Sequence, residues 1–235
     1  MKDVIGTWET IKERVLEHLE GTEVLSLIAH GSFAEGLANE NSDFDLLVIC
    51  GENVKEKTEI MKFGNMEVDI DFLHEKTLKD QLKSLDNLLE SGSLPPFASR
   101  LKNAVVLSDS NDIGKNLVDM ARAYQPSFEL MDMYSRVAMG YYYDAVGALV
   151  SGNYTTAVHT ARLAALEVLA GIMLQQGQLY VNRKWLVELM NKISAPQELF
   201  LKLMGLDTVD KEKAQECIRD LNKLIAEFQK LRKTK

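Results

Sequence analysis

Cysteine is almost missing from this chain of 235 residues: Cys50 and Cys217 are its two. They stand far apart, form no CxxC pair and lie in segments of apolar pattern, so two buried reduced thiols are expected rather than a disulfide or a zinc site. A surplus of basic residues is missing too. With 27 Lys and Arg against 35 Asp and Glu, the formal charge is −8. A general binder of nucleic-acid backbone needs a basic face to release counterions, so nucleic acid is a disfavoured partner. The opening MKDVIGTWETIKERV lacks the apolar centre of a signal peptide, and no later stretch is expected to be apolar over the length a membrane span needs. Internal repeats and low-complexity tracts are absent. The expectation is a cytoplasmic globular protein with enough apolar sequence for a real core.

Periodicity divides the chain in two. Trp8, Ile11, Val15 and Leu19 recur at helical spacing and stop at Gly21. Short β-branched and leucine-rich runs follow at 24–29 and 46–49. A turn at Gly64-Asn65 separates a third candidate strand from a fourth, MEVDIDFL, in which Met66, Val68, Ile70 and Phe72 alternate with Glu67, Asp69 and Asp71. A Lys- and Leu-rich helix is expected over 77–89, then a breaker cluster, SGSLPPF, and a last strand, AVVLSD, at 104–109. From Ile113 strand signals vanish. Two long helices are expected at 128–150 and 154–176, joined by Ser151-Gly152-Asn153. The stripe Tyr154, Val158, Ala161, Ala165, Val168 and Ile172 marks the second as the centre of a bundle. A final amphipathic helix carries Ile218, Leu221, Ile225, Phe228 and Leu231 on one face and ends in Lys and Arg, which suit a helix C-terminus. The predicted class is α+β: a small sheet-containing domain at 1–110 followed by an all-helical bundle at 111–235.

The chemistry concentrates in HGSFAEGLANENSDFDLLVI, residues 30–49. In a strand, residues i and i+2 point the same way, so Asp43 and Asp45 present two carboxylates together. Like charges so close are costly unless a cation sits between them, and hard oxygen ligands suit Mg²⁺. Asp69, flanked by apolar Val68 and Ile70, is the candidate third acid from another strand. Metals held by three carboxylates can clamp the attacking and leaving oxygens of a phosphoryl displacement. Gly31 permits a tight turn and close approach of a ligand, and Ser32 adds a hydroxyl, so the turn is read as the holder of a triphosphate.

A Gly-Ser pair, ten intervening residues, Asp-Phe-Asp, and a downstream Val68-Asp69-Ile70 together resemble the signature of the DNA polymerase β-type nucleotidyltransferases, in their minimal bacterial branch. The helical half, with YYYDAVGALVSGNYTTAVHTARLAALEVLAGIMLQQG and KWLVELMNKI, is similar to the substrate-binding bundle of kanamycin nucleotidyltransferase-like enzymes. The resemblance implies a short mixed sheet, two Mg²⁺ ions, ATP or another nucleoside triphosphate, transfer of a nucleotidyl group to an acceptor with release of pyrophosphate, and a bundle at 111–235 that shapes the acceptor site and is a candidate dimer interface. It departs at Glu35, where relatives often carry a basic residue, leaving Arg100, Arg136 and Lys184 as candidates to meet the phosphate charge.

Three acids compete for the role of general base: Asp69, Asp71 and Glu129, the last at the helix start where kanamycin nucleotidyltransferase-like enzymes place a glutamate, though an acid there also complements the helix dipole. Tyr141, Tyr142 and Tyr143 are candidate acceptor contacts, with at least one in the core. His30 reads as a satisfied core or supporting histidine, and His159 as packing. The bundle also resembles helical domains of toxin modules, but lacks the Arg-His spacing of their ribonuclease site. The acceptor is expected to be a small molecule, with a cationic aminoglycoside fitting the acidic balance. Protein or RNA acceptors, and a nucleotide-binding regulator with weak turnover, are the alternatives.

Overall fold

The computed structural model describes residues 2–64, 66–90, 96–179, 185–191 and 197–206. Helix α1 (Lys2–His18) leads into β1 (Val24–His30), a one-turn helix α2 (Gly31–Ala34), β2 (Phe44–Cys50), β3 (Lys57–Phe63) and β4 (Met66–His74). Helices α3 (Glu75–Lys83), α4 (Leu85–Glu90) and α5 (Phe97–Arg100) and a 3₁₀ turn (Leu101–Asn103) precede β5 (Val105–Asp109) and α6 (Ile113–Ala123). The rest is helical: α7 (Phe128–Val150), α8 (Tyr154–Gln175), α9 (Leu186–Met190) and α10 (Gln197–Met204). The fold is α+β, as its sequence pattern predicts.

The sheet runs β3-β4-β2-β1-β5 and is mixed: β2 and β4 are parallel, and every other neighbouring pair is antiparallel. β2 lies at the centre, which explains its unbroken apolar run after Asp45, since both faces of the strand are covered. One face receives α1 through Ile11, Val15 and Leu19 against Leu27, Leu46 and Val48. The other receives α3 to α6 through Leu78, Leu101 and Leu117 against Ile28, Leu47 and Ile49. β3, at the edge, carries Lys57, Glu59 and Lys62, charges that discourage edge-to-edge pairing with another chain.

The helix expected over 77–89 is broken at Ser84, whose hydroxyl donates to the Asp80 carbonyl at 2.8 Å, a local bond that competes with helix continuation. By contrast, α7 and α8 begin where predicted. The Ser127 hydroxyl accepts from Leu130 N–H at 3.1 Å and the Asn153 side chain from Thr156 N–H at 3.3 Å, capping both. Asp86 of α4 accepts from the Tyr124 hydroxyl and from Ser127 N–H, tying the helical half to the sheet layer at the entry to α7. Met131 and Tyr134 of α7 and Leu174 of α8 extend that contact into the core beneath the sheet.

Two expectations require correction. α8 is long and apolar enough to cross a membrane by length and composition, with a mean hydropathy of 1.5 over its most apolar window, and it packs along α7. Nor is α8 enclosed by the described residues: Tyr154, Val158 and Val168 are exposed. The predicted final amphipathic helix, with Cys217, lies outside the described residues. Cys50 is buried and reduced, as expected.

Phe44 ties the sheet to the turn before it. Its ring stacks on Phe33 with centroids 3.7 Å apart and meets Trp8 of α1 edge-on at 5.0 Å. Phe44→Ala is expected to cost about 3–5 kcal/mol in urea unfolding, the range for deleting a buried aromatic; a loss under about 1 kcal/mol would contradict this packing.

Candidate metal and phosphate site

Strand register builds the site. His30 on β1 pairs with Asp45 on β2, and Asp45 pairs with Asp69 on β4, so the three form one row across neighbouring strands. Directly paired residues share a face. The row faces the side of Leu47 and Ile49, beneath α3 to α6. Asp43 stands immediately before β2, two residues from Asp45. Asp43, Asp45 and Asp69 each bring one carboxylate oxygen to a common point, all within 4.8 Å of one another and all partly exposed.

Gly31 makes this convergence possible. Its φ is +69°, in the left-handed region, and a Cβ built there would fall 1.9 Å from Asp45 Oδ2. The carboxylate of Asp45 thus lies directly on the bare Cα at the turn. Ser32 follows, buried, its hydroxyl lacking a hydrogen-bond partner among the described residues.

The electrostatics are those of an incomplete site. Burial, then Asp43, Glu67 and Asp71, raise the Asp69 carboxyl above its ordinary value, and its buried Oδ1 has no hydrogen-bond partner among the described residues. His30 is fully enclosed, with neither ring nitrogen partnered among the described residues; desolvation and then the Arg100 charge push it down to about 3, so it is neutral. Buried polar atoms normally find partners, and those of His30, Ser32 and Asp69 cluster around one turn. An all-oxygen set of three carboxylates fits a hard divalent cation such as Mg²⁺ better than a soft metal, and the unpartnered Asp69 oxygen gives such an ion a place to bind.

Other candidates fall into different environments. Asp71 is buried, and its Oδ1 accepts from Thr58 Oγ1 at 2.6 Å. Glu67 is exposed and 3.7 Å from Lys62. Glu129 is exposed in the first turn of α7. Tyr142 and Tyr143 are exposed with rings 5.6 Å apart, and Tyr142 belongs to an apolar groove of the helical half. His30 is buried as predicted, yet unsatisfied, and His159 is exposed rather than packed. Glu35 is buried and accepts twice from Asn103 Nδ2, at 2.9 and 3.0 Å. Asn103 carried no signal in the sequence, because its role depends on the 3₁₀ turn folding back over α2. Leu37, just beyond the Gly-Ser turn, packs on the core of α8 to α10, so the site loop touches the helical half.

Residues 9–99 match the family model of the nucleotidyltransferase domain, a stretch that contains Gly31, Ser32, Asp43, Asp45 and Asp69. The match reaches that domain and no finer branch. Among solved structures the chain is similar to a nucleotidyltransferase-like protein from Exiguobacterium sibiricum 255-15, with 15% identity, a TM-score of 0.45 and coverage of 86% of this chain and 73% of that one. No curated protein matches the chain.

Gly31→Ala is expected to displace Asp45 and abolish Mg²⁺ binding in calorimetry while leaving the far-ultraviolet circular dichroism unchanged; retained affinity would contradict the close approach. Asp69 titrates higher in the folded chain than unfolded, so the metal-free fold loses stability as pH rises through the window above 3.8. In chelator, Asp69→Asn should therefore be more stable than the parent at neutral pH and equal to it in acid below that value, as measured by urea unfolding across pH.

Proposed function

We propose that this chain is a Mg²⁺-dependent nucleotidyltransferase that moves a nucleoside monophosphate, such as AMP from ATP, onto a hydroxyl of a small cationic acceptor of the aminoglycoside type and releases pyrophosphate. The observation that carries this reading is the convergence of Asp43, Asp45 and Asp69 beside a Gly31-Ser32 turn whose buried hydroxyl lacks a partner among the described residues. Asp43, Asp45 and Asp69 would hold Mg²⁺, which when bound neutralises the triphosphate and polarises the reacting phosphorus.

Ser32 offers its hydroxyl to a phosphate oxygen, and Gly31 admits the phosphates close to the backbone. The acceptor oxygen forms a bond to the α-phosphorus as the bond from that phosphorus to the β-phosphate oxygen breaks. Pyrophosphate carries away the electron pair, and the acceptor proton passes to a carboxylate. Asp69 is the candidate for that last role by position, since a carboxylate beside the metal and the incoming hydroxyl is within reach of the proton. Asp71 is already engaged by Thr58.

Among the three bases considered for the phosphates, Arg100 is favoured by position. Its charge is felt at His30, beside Gly31, and its guanidinium lies 4.7 Å from the Phe97 ring centroid. Arg136 pairs with Asp132 on α7 at 3.0 Å, and Lys184 lies outside the described residues. The contact of Leu37 with the helical half supports an acceptor cleft between the two halves, and the acidic balance supports a cationic occupant.

The test is incubation with Mg²⁺ and α-phosphate-labelled nucleotides, with and without a panel of aminoglycosides. Pyrophosphate release that requires a small acceptor is the expected result. Label on the protein would move the acceptor to a side chain, and nucleotide binding without release would make the chain a regulator. Asp43→Asn should abolish release with the fold intact. Arg100→Ala should raise KM for the nucleotide roughly tenfold or more, the size of a lost charge-assisted hydrogen bond, with Arg100→Lys intermediate.

A further inference from the structure

The stretch before β5 meets the Gly-Ser turn along one row of side chains. Phe97, Arg100 and Asn103 recur every three residues through α5 and the 3₁₀ turn, a spacing that puts them on one side of a tight helix. All three reach toward HGSFAE, residues 30–35. The Phe97 ring meets the His30 ring edge-on at 6.4 Å, the Arg100 charge is felt at the same imidazole, and Asn103 Nδ2 donates to both Glu35 oxygens at 2.9 and 3.0 Å.

Glu35 is the handle of that turn. Its N–H donates to the Gly31 carbonyl at 3.0 Å, and Leu37 N–H donates to the Ser32 carbonyl at 2.8 Å, so residues 31–37 are tied into one closed unit. Glu35 is 8% exposed, whereas Asn103 stands on the surface. A carboxylate buried without donors is costly, and the Asn103 amide supplies charge-assisted bonds to it from outside the core. The clasp therefore joins the unit that carries Gly31 and Ser32 to the one that carries Arg100.

We propose that Asn103, acting through Glu35, is a positioning residue for the nucleotide: it holds the Gly31-Ser32 turn and the Arg100 guanidinium at a spacing that lets both meet one triphosphate, an inference that rests on the nucleotide-transfer reading of the site. Asn103 touches no reacting atom. When the clasp is lost, the two phosphate-facing elements must be brought back into register as nucleotide binds, and that ordering is subtracted from affinity.

Calorimetric binding of ATP in Mg²⁺, without acceptor, tests this on the full chain, with urea unfolding of each variant alongside. The parent is measured first. If it binds no ATP, the nucleotide reading fails and the role of Asn103 falls with it. With the parent binding, Asn103→Ala should weaken ATP about tenfold, the size of a lost charge-assisted hydrogen bond. In an Arg100→Ala background the same change should cost less than about threefold, because the group it positions is gone. Asn103→Asp combined with Glu35→Gln exchanges donor and acceptor at constant charge. That pair should return affinity to within about threefold of the parent, while Asn103→Asp alone should not. A lower urea midpoint with ATP affinity kept in Asn103→Ala would make the clasp purely structural and overturn the inference. An undiminished loss in the Arg100→Ala background, or an exchanged pair no tighter than Asn103→Asp alone, would overturn it too.

Discussion

Three carboxylates held within 4.8 Å of one another repel, and the rest of this structure is arranged to keep them there. Each close pair costs roughly 1 to 4 kcal/mol between the dielectric of water and that of a protein surface. The raised proton affinity of Asp69 is the visible sign of that cost. Strand pairing fixes Asp45 against Asp69, the two-residue repeat brings Asp43 to the same face, and Gly31 gives up a side chain so that Asp45 can lie against the turn. A divalent cation bound between them would relieve that repulsion.

The surrounding fold supplies the rigidity this requires. β2 is enclosed on both faces, so its register cannot slip without turning Leu46 or Leu47 into the wrong layer. Phe33, Phe44 and Trp8 lock the turn after β1 and the start of β2 to α1. On the opposite face α5 and the 3₁₀ turn bring Arg100 toward His30 and Asn103 onto Glu35, so that the stretch just before β5 shapes the back of the site. Positive charge arrives from a different element than the short helix after Gly-Ser, where Glu35 stands.

Much of this was legible in the residues themselves. Alternation in MEVDIDFL, the apolar run after Asp45 and the caps at Ser127 and Asn153 are local signals, and the strands and long helices follow them closely. The grouping of Asp43, Asp45 and Asp69 was legible because i, i+2 spacing and an acid between apolar neighbours are also local. What depended on long-range contact was not. The break at Ser84 turns on one hydroxyl's choice of partner. The clasp of Asn103 on Glu35 joins positions 68 apart in the chain. The His30 ring lies beside Phe97 of α5 without a hydrogen-bond partner among the described residues, and no pattern near His30 reveals that. The exposure of the stripe on α8 reverses a reading from periodicity alone, since a helix that is apolar on several faces needs partners that periodicity cannot locate.

The central claim is that these three acids form a cation site beside a phosphate-holding turn. Crystals soaked with Mn²⁺ and a nucleoside triphosphate analogue that resists transfer test it most directly. An anomalous peak between the carboxylates of residues 43, 45 and 69, with phosphate density against residues 31 and 32, is the predicted result. Manganese and nucleotide bound elsewhere, or an empty cluster at saturating concentrations of both, would contradict it.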